Sequence, residues 1–205
     1  METLNKPLTV TAAAEQRNSI RKYTDAPITD ADINEILRVA GLAPSPWNVQ
    51  PWRVIVVREP ETKARLMEAA YGQPQVGASA ATFVLYNDMI DAVDNAIEFV
   101  HPGYGDKREE EAKKMQDQFR GWGEEGMQKW GHAISYTYLG FLLLAIQSQG
   151  FSSSAMLGFD PEKVKALLEL PAHATLPALI AVGKPAEEGF PHHRHEVRRI
   201  AKIIG

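Results

Sequence analysis

Cysteine is absent from all 205 residues. Its absence excludes disulfides, thiolate metal sites and cysteine nucleophiles, and it fits a reducing compartment. An excess of one charge is also lacking. Lysine and arginine total 22 against 26 acidic residues, a formal net charge of −4, and no basic block offers nucleic acid a footprint. Long hydrophobic runs are missing too. The most apolar stretch, Ala133 to Ile146, is broken by Ser135, Thr137 and Gly140 and is too short to span a bilayer. It reads as a buried core helix. The opening METLNKPLTVTAAAEQRNS has no basic region followed by an apolar one, so it does not read as a signal peptide. Repeats and low-complexity tracts are absent. These absences point to a cytoplasmic protein with neither nucleic acid nor membrane as partner.

What is present is 44% hydrophobic, enough for a real core, and a single domain over residues 1–205 is expected. Local signals place the elements. A first helix covers about Val10 to Arg17. Thr29, with Asp32 three positions on, forms a capping-box variant. Ile28 and Ile33 stand at staple positions, Ile33, Ile36, Leu37 and Ala40 make an apolar stripe, and Gly41 ends the helix. Buried strands are expected at Arg53–Val57, Thr82–Tyr86 and Leu176–Val182. Further helices are expected near Pro60–Ala70, Met89–Val100, Asp106–Arg120 and Glu124–Gln149, with another opened by Asp160-Pro161. The charged 106–120 helix carries Glu109–Lys113 and Glu110–Lys114 pairs. YGQPQVGAS reads as a loop or helix edge, and the basic tail has weak helical spacing. Unequal helices around a few strands, without regular β-α alternation, indicate an α+β fold.

Some motifs tempt and fail. GWGEEG at 121–126 matches G-x-G-x-x-G, but a charged helix precedes it where a strand is needed, and Glu124 and Glu125 would oppose a phosphate. It reads as a helix–helix junction. PHHRHE offers His192, His193 and His195, but Arg194 among them repels a cation and no carboxylate-rich motif stands nearby, so no metal site is expected. GFSSSAMLG lacks the G-x-S-x-G of an activated serine. His132 reads as a hydrogen-bonded helix histidine.

Two stretches hold together better. RNSIRKY places Arg17, Ser19 and Arg21 at alternate positions, which in extended chain puts two guanidiniums and a hydroxyl on one side. That suits a phosphate monoester, although the motif alone also fits a solvated charged face. Arg194 is a third candidate cation. APSPWNVQPWRVIVV sets three prolines, two tryptophans, Asn48 and Gln50 before a β-branched run, an ordered polar loop held by a strand.

With SAMLGFDPEKV, these elements resemble the nitroreductase family of FMN-dependent NAD(P)H oxidoreductases, from Arg17 to about Val197. The resemblance implies an α+β fold with a central, mostly antiparallel sheet flanked by helices, in an intertwined homodimer with FMN bound noncovalently at the interface. It implies that Arg17, Asn18, Ser19 and Arg21 of one protomer hold the phosphate and ribityl end, with Arg194 closing on the phosphate. Pro44, Ser45 and Asn48 would reach the flavin from the partner, with Gln50 supporting the loop and the flavin edge. Main-chain groups at Met156, Leu157 and Gly158 would lie near the isoalloxazine. Gln73 and Gln75 would meet the pyrimidine edge, with Gly72 where the family commonly has asparagine and Pro46 a departure from some subgroups. No side chain is implied as a catalytic acid or base, because the flavin carries the chemistry: NAD(P)H reduces it, and a nitroaromatic, quinone or similar small oxidant takes the electrons. Specialised relatives in the same fold (dehydrogenase, dehalogenase or flavin-modifying enzymes) and a non-catalytic flavin binder are the alternatives. Residues 99–130 form a helical insertion whose Tyr104, Phe119, Trp122 and Trp130 fit either a roof over the cleft or plain helix packing.

Overall fold

Four strands carry the β-branched and small residues of the sheet. In the computed structural model, which describes residues 7–205, these are β1 (Trp52–Val57), β2 (Ala81–Asn87), β3 (Ser152–Met156) and β4 (Thr175–Gly183). The first six residues of the N-terminal stretch lie outside the described residues. The strand order is β1-β2-β4-β3 and every neighbouring pair is antiparallel. Side chains alternate between faces along a strand. Phe83, Leu85, Ala178, Ile180 and Val182 therefore join one core cluster, while Val84, Leu179 and Ala181 join another on the opposite face.

Helices cover both faces. The chain opens with α1 (Val10–Gln16) and α2 (Asp30–Ala40). At α2 the expected capping box forms: Thr29 Oγ1 accepts from the Asp32 N–H at 3.1 Å and Asp32 accepts from the Thr29 N–H at 2.9 Å. Ile28 and Ile33 share its cluster with Ile36 and Ala40. α3 (Pro60–Ala69) and the short α4 (Pro74–Ala78) follow β1, so the YGQPQVGAS stretch does contain a helix. After β2 come α5 (Met89–Asp94), α6 (Arg108–Arg120) and the 26-residue α7 (Gly123–Ser148). α8 (Pro161–Leu168) is capped by Asp160, and α9 (Val197–Ile200) is one turn in the tail. α2 and α7 pack on one face of the sheet, and α3, α4 and α8 on the other. No described helix is long and apolar enough to cross a membrane.

Several expectations change. The helix read over Met89–Val100 stops at Asp94, and a 3₁₀ turn at Ala96–Glu98 continues it, because Asn95 leaves helical geometry at ψ 34°. In α6 Lys114 pairs with Glu110 at 3.0 Å as expected, but Lys113 pairs with Asp117 at 2.5 Å rather than with Glu109. Strand β3 was not legible in its serines, which lack hydrophobic alternation; pairing with β4 makes it a strand, and Ser152, Ser153 and Ser154 are buried. The apolar run in α7 buries Tyr138, Leu139, Leu142, Ala145 and Ile146, while Tyr136 and Phe141 remain exposed. Gly121 and Trp122 of the GWGEEG stretch make the turn between α6 and α7, and Gly123 at φ 72° opens α7.

Candidate functional site

Beyond α1 the chain runs extended along the outer edge of β3. Arg17 leaves the helix at ψ 113°, Ser19 pairs in parallel with Ser153, and the Ile20 N–H donates to the Ser153 carbonyl at 3.1 Å. Ile20 is buried beneath the segment, so alternation turns Arg17, Ser19 and Arg21 outward. Tyr23 braces the segment: its hydroxyl lies 2.6 Å from the Ile20 carbonyl and 3.0 Å from the Ala181 carbonyl. Burial pushes this phenol well above its ordinary range. Glu187 accepts from the Arg21 and Lys22 N–H groups at 2.8 and 3.2 Å, so its carboxylate anchors backbone.

The C-terminal segment brings in the third arginine. Gly189 lies against Asn18, and the His192 ring meets the Glu15 carbonyl at 3.0 Å. Arg194 thereby lines one cleft with Arg17, Ala14, Glu15 and Leu144. Burial, and then the charge of Arg194, lower the pKa of Arg17. Among the described residues neither Arg17, Arg21 nor Arg194 has a carboxylate at ion-pair distance. Arg17 beside a like charge, with no carboxylate at ion-pair distance although Glu15 lines the same cleft, can seat an anion.

At the far end of β3 the two glutamines meet the strand terminus. Gln73 Nε2 donates to the Gly158 carbonyl at 2.7 Å, and Gln75 Nε2 reaches Gln73 Oε1 at 3.0 Å and Met156 Sδ at 3.1 Å. Gly72 at φ 75° makes the turn into α4, a left-handed conformation that asparagine also tolerates. Ser153 stands three residues before Met156, about 10 Å at a strand's rise. The arginine segment and the Met156–Gly158 segment therefore lie along one edge. Among the described residues the Leu157 and Gly158 N–H groups have no acceptor, and Leu157 is exposed.

The proline-tryptophan loop is elsewhere. It holds one 3₁₀ turn, Pro46–Asn48, broken by the left-handed Trp47 at φ 54°. Ser45 Oγ accepts from the Gln50 N–H at 3.0 Å, Gln50 Nε2 donates to the Asn48 carbonyl at 3.1 Å, and Asn48 Nδ2 donates to the Phe99 carbonyl at 3.2 Å. Pro44 and Asn48 are exposed, while Ser45 and Gln50 are half-buried. Trp47 packs on Phe119, Trp122 and Trp130 with centroids 5.6, 6.3 and 6.1 Å away. Phe119, Trp122 and Trp130 of the insertion thus pack on the loop itself, while Tyr104 is exposed. The loop feeds β1, whereas Ser19 and Met156 belong to the β3 edge, with β2 and β4 between. At about 4.8 Å per strand the edges stand about 14 Å apart. Within one chain, Pro44, Ser45, Asn48 and Gln50 are not brought to the arginines.

His132 Nδ1 meets Thr175 Oγ1 at 3.0 Å, the hydrogen-bonded helix histidine expected of it. Among the described residues no three histidine or carboxylate side chains gather as metal ligands. Sequence reasoning missed Tyr23 and Glu187, which shape the arginine segment through partners about 160 residues away in sequence; no local pattern marks them.

The chain is similar to known proteins along nearly its whole length. The sequence profile of the Nitroreductase family matches residues 14–184. A protein named NADH dehydrogenase from Thermus thermophilus is 46% identical over 201 residues, 98% of either chain. A Bacillus subtilis protein named as an NAD(P)H nitroreductase is 29% identical over 201 residues, 91% of this chain and 93% of its own. A nitroreductase structure in complex with FMN, from Exiguobacterium sibiricum, superposes with a TM-score of 0.87 at 25% identity, covering 98% of this chain and 100% of its own. With this match and an antiparallel sheet clad by helices on both faces, the chain belongs to the nitroreductase family.

Proposed function

We propose that the protein is an FMN-dependent oxidoreductase, reduced by NAD(P)H and oxidised by a small acceptor such as a nitroaromatic or quinone. The observation that carries this reading is the convergence of Arg17 and Arg194 in one cleft, neither of them at ion-pair distance from a carboxylate, Glu15 of the same cleft included. A phosphate dianion relieves that repulsion, and guanidiniums bind its oxygens through paired donors. Arg21 and Ser19, outward on the same extended segment, extend the grip. Named relatives of NADH dehydrogenase and NAD(P)H nitroreductase type, and the FMN bound to the Exiguobacterium structure, support the same assignment.

When bound, FMN supplies two-electron hydride chemistry between NAD(P)H and the oxidant. The chain's own residues bind and orient. Arg17, Arg21 and Arg194 hold the phosphate. The N–H groups of Leu157 and Gly158 offer backbone donors, and Gln73 and Gln75 supply amides beside them. No side chain is assigned as an acid or base. The loop bearing Pro44, Ser45, Asn48 and Gln50 completes the site of a second copy, a reading supported by its position on the opposite sheet edge. The protein is therefore a two-fold dimer, and the aromatic insertion at 99–130 shields the loop.

The purified protein should be yellow, release FMN on acid treatment, and bleach on anaerobic titration with NADH or NADPH. Released FAD, or a colourless protein that ignores added FMN, would overturn the cofactor. A yellow protein that stays oxidised would be a flavin binder rather than an enzyme.

A further inference from the structure

Gln50 holds a left-handed backbone, φ 45°, that a residue with a side chain rarely adopts. All its polar groups but one are committed. Its N–H goes to Ser45 Oγ and its side-chain amide to the Asn48 carbonyl, while its own carbonyl accepts from Arg53 Nη1 at 3.0 Å. Arg53 Nη1 also meets the Trp52 carbonyl at 2.9 Å, and its Nη2 meets Asp91 Oδ2 at 2.5 Å. The intervening Pro51 carbonyl accepts from the Asp88 N–H at 2.9 Å. Three consecutive carbonyls are thus held, two by Arg53 of β1 and one by the N-cap of α5. Asp91 is fixed in turn: its N–H donates to Asp88 Oδ1 at 2.9 Å, and its Oδ1 accepts from Asn95 Nδ2 at 3.0 Å.

We propose that Arg53 is a positioning residue whose forked contact with the Gln50 and Trp52 carbonyls, aimed by Asp91, holds the Ser45–Gln50 loop in its flavin-binding conformation. This inference rests on the proposed function. In this proposal Arg53 acts on the flavin only through the loop. It lines a polar cavity of about 450 Å³ with Gln50, Asp91, Asn95 and Glu98, and its ion pair with Asp91 is partly exposed, at 33% and 45% for the two side chains. A pair this wet contributes little to global stability. Its effect is concentrated in the loop's geometry, because a left-handed residue persists only where its surroundings over-determine it. A lysine cannot replace the planar fork, since a single ammonium cannot reproduce three fixed N–H directions.

The test uses the full chain with Arg53→Ala and Arg53→Lys. In the apoprotein, amide hydrogen exchange across residues 47–50 should rise about tenfold in both variants, while the thermal midpoint stays close to the parent's. Affinities for FMN and for riboflavin should fall by the same factor, roughly tenfold, because the loop serves the ring side rather than the phosphate. A merely structural role would lower the midpoint and leave loop exchange unchanged relative to the rest of the chain, which overturns the proposal. So would an affinity loss confined to FMN. Full recovery by Arg53→Lys would overturn the fork and leave charge alone as the determinant. Should the parent bind neither flavin, the functional reading fails by itself, and the exchange experiment still reports on the loop.

Discussion

Ser19 lies opposite Ser153 in a parallel bridge on the outer edge of β3. That one pairing sets the register of Arg17, Ser19 and Arg21 against the strand that ends at Met156. It fixes the spacing between the cluster proposed for the phosphate and the backbone donors at Leu157 and Gly158. In the proposed site the same sheet edge would serve both ends of the ligand.

Losing one charge-assisted contact to a phosphate costs on the order of 1.5–3 kcal/mol, or roughly ten- to a hundredfold in affinity. Arg21→Ala should therefore purify pale, fold normally and regain colour at high FMN. Riboflavin, which lacks the phosphate, should bind parent and variant alike. Equal losses for both flavins, measured by fluorescence titration, would remove Arg21 from the phosphate.

A site shared between two protomers, as proposed, has its own arithmetic. Homodimers of Arg17→Ala/Arg21→Ala and of Ser45→Ala/Asn48→Ala should each be inactive. On co-refolding, mixed dimers hold one site with both defects and one with neither. Random pairing makes about half the dimers mixed, so about one quarter of all sites should regain parental activity. A dead mixture with mixed dimers present would mean that both elements act within one chain.

Gly131 is required where α7 crosses the end of β2. A β-carbon there would sit 2.1 Å from Asn87 Oδ1 and 2.3 Å from Met89 Cγ. Gly131→Ala should therefore lower the unfolding free energy by about 3 kcal/mol or more through overpacking. Gly126→Ala, on the same helix, meets only Trp122 Cβ at 3.4 Å and should raise stability by up to ~1 kcal/mol, the helix-propensity gain. Chemical denaturation of both decides the matter; similar effects would show that α7 is not packed this closely.

Burial lowers the pKa of His132 below its ordinary 6.5. The unfolded chain then takes up the proton first, so stability is lost as pH falls through 6.5 and toward the folded value, and is fully present above it. His132→Gln should flatten that part of the stability profile. Parallel profiles for parent and variant across this window would show that His132 titrates normally in the fold.

The capping box at Thr29 and Asp32, the Asp160-Pro161 helix start and the GWGEEG junction were legible because each depends on residues within five positions of one another. The strands β1, β2 and β4 announced themselves through β-branched composition, and the three family motifs named most of the candidate residues, with Gln73, Gln75 and Arg194 drawn from outside them. β3 stayed hidden, because serines become a buried strand only when β4 pairs on one side and Ser19 on the other.

The amino-acid order by itself determined most of the helices, though not α4 or the end of α5, together with three of the four strands, the family resemblance and the residue types offered to an anion. Tertiary structure alone decided their convergence. Arg194 reaches Arg17 across 177 positions through the docking of His192 on α1, and Gln73 meets Gly158 across 85. The insertion's aromatics close on Trp47, and the proline-tryptophan loop falls on the sheet edge opposite the arginines. The physical reason is range. Caps and periodicity are satisfied within a turn or two of chain, whereas convergence depends on the order in which strands pair, which no local pattern encodes.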